Sequence, residues 1–190
     1  MGNHGLVVCG TSCRSVEQLL MEVEQRLAIE PRPAPEPNYA LLKQALPGSD
    51  CSLPACAGVH ALATDHISRR ILSGGVLYPC QAIFLRAIMP VLTSSLPLEQ
   101  PCRGQRGYAR QQVLRIIEDH GVLTSEHMTR AEREMLVGLA SVVQRIDAFA
   151  PLRCLSASEV IDVLNGEVDN YRRTADTNCR SKDSDAGILT

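Results

Sequence analysis

Between Ser125 and Phe149 aliphatic side chains return at helical steps: Met128, Met135, Leu136, Leu139, Val142, Val143 and Ile146 trace one stripe. Arg130, Glu132, Arg133 and Glu134 lie off it. A 3.6-residue period places such a stripe on one helix face, which must be buried against a partner surface. Composition narrows the choice of partner. Apolar residues make up 45% of the 190, yet aromatics only 3%, with two Phe and no Trp. A core of Leu, Ile, Val, Ala and Met suits packed helices better than a sandwich or barrel, which lean on aromatic and β-branched residues. The expectation is an all-α fold, a bundle of six or seven helices.

The same period recurs along the chain. Val16, Leu19, Leu20, Val23 and Leu27 repeat in three- and four-residue steps, with Ser15 and Gln18 placed as a capping box. "YALLKQAL" reads as a short helix ended by Pro47-Gly48, and residues 52–75 as a helix capped by Ser52 and ended by Gly74-Gly75. "YPCQAIFLRAIMPVLTSSLP" is apolar all round, a central buried helix kinked at Pro90. "GYARQQVLRIIEDHG" reads as a helix with Val113, Leu114, Ile116 and Ile117 inward and Gly121 as its stop. Ser156 with Glu159 opens a last helix. Only Gly5 to Cys9 reads as a strand.

The implied organisation is a leader over 1–14, a helical domain over 15–173 and a polar, disordered tail over 174–190. Within the domain, alternating prolines in "EPRPAPEPN" make 30–38 an extended linker. No window approaches the length of apolar sequence that a membrane-spanning helix needs.

Three constellations carry chemistry. Cys51, Cys56, His60 and His66 are all zinc-ligand types, and a structural zinc takes four. On an unbroken helix, however, His60 and His66 diverge by about 120°. The residues Cys80, His120 and His127 form the second set. Cys80 stands at the first turn of a predicted helix, where the backbone field favours a thiolate, and either histidine supplies the base of a cysteine-dependent enzyme. The third is the stripe itself: Met128, Met135 and Leu139 offer an adaptable, Met-containing face to a partner.

The opening "MGNHGLVVCGTSC" sets Gly2 behind the initiator Met, the acceptor position for a myristoyl chain. Cys9 and Cys13 are placed for the second acyl group that stable anchoring requires. Leu6 stands where the usual signal has Ser or Thr. "MGN" followed by "CGTS" resembles the leaders of some bacterial type III effectors that host enzymes acylate inside plant cells. The resemblance covers residues 1–12 and implies acylation and a virulence role, with no catalytic residue to carry over.

The net charge of −2, without an aromatic stacking set, argues against nucleic-acid binding. No phosphate-loop pattern is complete. With eight cysteines in a chain too large to need staples, a reducing compartment is expected. The leading expectation is thus a non-enzymatic helical interaction or adaptor protein, cytoplasmic, with the leader as its route to a membrane surface. Its partner is another protein, and no cofactor is expected unless zinc stabilises the module.

Overall fold

The stretch "LRIIEDHGVLTS" folds as a β-hairpin, which overturns the all-α expectation. A computed structural model describes residues 5–85, 91–92 and 113–166. It is a mixed α/β fold. Strand β1 (Cys51–Ser52), β2 (Val91–Leu92), β3 (Leu114–Ile117) and β4 (Gly121–Ser125) form one sheet in the order β1-β4-β3-β2. The β1–β4 and β4–β3 pairs are antiparallel, and β2 adds to β3 in parallel.

The helical elements are α1 (Cys13–Arg26), α2 (Tyr39–Gln44), α3 (Ala61–Thr64), α4 (His66–Ser73), α5 (Arg130–Val143) and α6 (Ala157–Asn165). A 3₁₀ turn, Ala57–His60, leads into α3, and a π-helical turn covers Gln81–Leu85. The helix expected over 52–75 is therefore a strand residue, a 3₁₀ turn and two short helices broken at Asp65. Of the central apolar helix, the described part is residues 78–85, which end in the π turn, and β2. Pro90 and the arginines from Arg103 to Arg110 lie outside the described residues, as does 174–190.

Spacing explains the confusion. Val113, Leu114, Ile116 and Ile117 satisfy helical steps, but Leu114 and Ile117 also fall on opposite faces of a strand. Leu114, Ile116 and Val122 join a core shared with Leu62, Ala63, Ile71, Leu136, Leu139 and Val143. Ile117 and Leu123 face the other way, onto Leu42 and Cys51, with Leu41, Ala45 and Leu46 around them. The sheet is thus covered on both faces, by α3–α5 and by α2. Strands covered twice read as continuous apolar runs, without the alternation that marks a half-exposed strand. A third small cluster, Val76, Ala82 and Val160, docks α6 on the π turn beside a Val76–Leu155 bridge.

The hairpin turn has its own chemistry. Asp119 adopts φ 61° and Gly121 φ 141°. The His120 amide closes the turn on the Ile117 carbonyl at 3.0 Å. Arg69 reaches from α4 to Asp119 Oδ1 at 2.6 Å and to Glu118 at 3.5 Å, fastening the turn to the helical layer.

The Pro-rich segment runs extended along the body. The Arg32 amide donates to the Gln144 carbonyl at 2.9 Å, and the Asn38 amide to the His120 carbonyl at 2.8 Å. The Arg32 side chain donates to Asp65 Oδ2 (2.8 Å), Ser68 Oγ (3.2 Å) and the carbonyls of Val143 (2.9 Å) and Ile146. Asp65 is also the N-cap of α4, accepting from the Ile67 and Ser68 amides. A cation at the end of α5 and an anion at the start of α4 both suit the helix dipoles.

Candidate functional site

The described surface is concave between the chain leaving β1 and the first turns of α5. There a groove of about 520 Å³ opens. Its apolar wall comes from Leu53, Pro54, Val59, Leu136 and Val137, and its far end from Ser52, Thr124 and Cys56. Val59 and Leu136 are themselves core residues, so the groove floor is the outer surface of the packed interior. Ser52 and Thr124 hold its base together through their hydroxyls at 3.2 Å.

Arg130, Arg133 and Glu134 line the α5 side. Residues three apart on a helix share a face, so both guanidinium groups overhang the same groove. Neither has an ion-pair partner among the described residues. The helix is fixed by a capping box in which Thr129 Oγ1 accepts from the Glu132 amide (3.2 Å) and Glu132 from the Thr129 amide (2.8 Å). Two positive groups beside an aliphatic wall, on a helix whose start is pinned, make a preorganised surface for a ligand carrying carboxylates and aliphatic groups.

A second pocket, about 460 Å³, is lined by Leu77, Tyr78, Pro79, Cys80, Val142, Ile146, Leu152, Arg153 and Gly5. Cys80 is an exposed free thiol at its mouth, but no histidine is among its described lining. His120 belongs to the β3–β4 turn, and His127 to the turn after β4, where its amide donates to Ser125 Oγ at 3.2 Å. Burial, and after it the neighbouring Cys80, pushes the Tyr78 phenol up to about 12. Arg153 at the rim is ion-paired to Glu159 at 2.6 Å.

The four zinc-type residues are separated by the break into short elements. Cys51 is buried in β1, Cys56 is exposed in the groove, His60 is buried, and His66 opens α4 at the surface. Among the described residues no three His, Cys, Asp or Glu converge as a metal group. His60 has a structural occupation instead. Its Nδ1 accepts from the Val122 amide at 3.1 Å, and Tyr39 packs edge-on against the ring.

Met128 and Leu139 are enclosed in the core, with Met135 packed against it. The α5 residues exposed in the groove are Arg130, Arg133, Glu134 and Val137. Those charges are the ones that lie off the apolar stripe in the sequence. Their signal was positional: two arginines three apart, next to the apolar stripe. Cys9 and Cys13 are exposed free thiols, whereas Gly2 lies outside the described residues. No described helix is long and apolar enough to cross a membrane.

Burial holds the His60 imidazole below its ordinary pKa. Burial also pushes Asp65 up, but hydrogen bonds from Ser68, Arg32 and the Ile67 amide, with the Arg32 charge, outweigh it and leave the carboxyl below its usual value. For both groups the unfolded chain takes up protons first as pH falls. Stability is therefore expected to decline below about pH 6.5 through His60 and again below about pH 4 through Asp65. Urea unfolding across this range checks it. His60→Gln removes the first decline and leaves the second.

Comparison with protein-family models, curated proteins and solved structures finds no match to this chain.

Proposed function

We propose that the protein is a non-enzymatic binding protein that holds an acidic, aliphatic-rich segment of a partner polypeptide in the groove between residues 52–56 and α5. The observation that carries this reading is the pairing of Arg130 and Arg133, without ion-pair partners among the described residues, with a wall of Leu53, Val59, Leu136 and Val137. Aliphatic side chains of the partner supply burial, and its carboxylates supply orientation and rate of encounter.

Selection of displayed random peptides on the immobilised full chain tests the reading. Recovered sequences are expected to place Asp or Glu among Leu, Ile and Val. Arg130→Glu combined with Arg133→Glu lies on the surface and leaves the fold intact. It should weaken those peptides at least about tenfold, the scale of losing two charge-assisted contacts. Peptides without acidic enrichment, or affinity that survives the double reversal, contradict it.

A further inference from the structure

Strand β1 ends the sheet, with β4 on its inner side. The Asp50 carbonyl accepts from the Glu126 amide at 2.9 Å and the Ser52 carbonyl from Thr124 Oγ1 at 3.2 Å, so the backbone groups of residues 50 and 52 face β4. Successive residues of a strand turn these groups to opposite edges, which points those of Leu53 outward. A residue before proline favours extended geometry, so Leu53 continues the line of β1 as far as Pro54. Neither the Leu53 amide nor its carbonyl has a hydrogen-bond partner among the described residues. Side chains alternate as well. Cys51 and Leu53 join the cluster around Leu42 of α2, whereas Ser52 lines the groove beside α5.

Resting on the binding reading above, we infer that the acidic, aliphatic-rich segment of the partner is extended and adds to the sheet as the next strand, along the outer edge of β1. An edge amide and carbonyl without partners are a template for another extended chain. A helix bonds its own backbone internally and leaves both groups unused. Charge complementarity fixes what the added strand carries. Arg130 and Arg133 overhang the α5 side of the groove without ion-pair partners among the described residues, beside Val59, Leu136 and Val137. In a strand next to β1 every second side chain falls on the α5 side of the sheet. The carboxylate that meets the arginines and the aliphatic group that meets the wall therefore stand two residues apart in the partner. A helical segment would set them three or four apart.

The tightest acidic peptide selected on the full chain is the probe, and its chemistry is altered so that the protein's own fold is untouched. N-methyl groups walked along the peptide remove one backbone donor at a time. Binding should weaken about tenfold or more at the residue whose N–H meets the Leu53 carbonyl and hold at both of its neighbours, whose N–H groups point away. Hydrogen exchange at the Leu53 amide should slow when the peptide binds, and the carbon shifts of the labelled bound peptide should be those of a strand. A peptide that needs Arg130 and Arg133 yet loses affinity alike at adjacent methylated residues, shows helical carbon shifts, or leaves the Leu53 amide exchanging as before overturns this inference alone. Failure of every acidic peptide to bind overturns it together with the reading beneath it. A free chain that sediments as a dimer with the Leu53 amide already protected also overturns it, because the edge then belongs to a second copy.

Discussion

Arg32→Ala is expected to lower the stability of the protein by about 3 kcal/mol, the scale of removing one partner from a buried ion pair. The Arg32 and Asp65 side chains are only 20% and 7% exposed. Without the guanidinium, a buried carboxylate and the carbonyls of Val143 and Ile146 lose their common donor. The Pro-rich strap loses its anchor on α4 and α5 at the same stroke. Asp65→Asn should cost less, because an amide oxygen still caps α4 while the buried charge disappears. For the same reason the double variant should be more stable than Arg32→Ala alone. Urea midpoints of the three variants check this ordering. A double variant that merely sums the two losses contradicts it.

Gly121→Ala is expected to cost about 2–5 kcal/mol by joining backbone strain to overpacking. At φ 141° an L-residue is strained before it meets any neighbour. Its Cβ would then stand 2.8 Å from both His60 Nδ1 and Leu42 Cδ1. The first of these atoms accepts from Val122, so the added methyl also disturbs the hydrogen bond that seats the hairpin. Gly138→Ala is the control. That glycine lies within α5 with open space around it, and the substitution should stabilise by about 0.5–1 kcal/mol through helix propensity. Thermal unfolding separates the two by sign.

These positions also mark what could be read in advance. Helices α1, α2, α5 and α6 lie where aliphatic periodicity places them, and the Ser156–Glu159 capping box forms as its residues suggest. At the start of α1 the box shifts to Ser12 and Ser15, because Ser12 stands one step before the helix. The hairpin was hidden because a strand covered on both faces shows no alternation. The β-branched Ile116, Ile117, Val122 and Thr124 around "EDHG" were its available signal. The latch at Arg32 was illegible for a different reason. Nothing local to a Pro-rich stretch tells which carboxylate and which helix end, residues 65 and 143, will meet it in space. The groove was half legible. The stripe of α5 was identified, but its Met and Leu residues are spent on the core, and the adjoining arginines remain at the surface.

The most direct measurement of the binding account is a titration of ¹⁵N-labelled full chain with a peptide that places Asp and Glu among Leu and Val. Amide shifts are predicted at residues 52–56, at Thr124 and along Arg130 to Val137, and are predicted to vanish when Arg130 and Arg133 are both replaced by Glu. Shifts centred on Leu77 to Cys80, or none at saturating peptide, would contradict it.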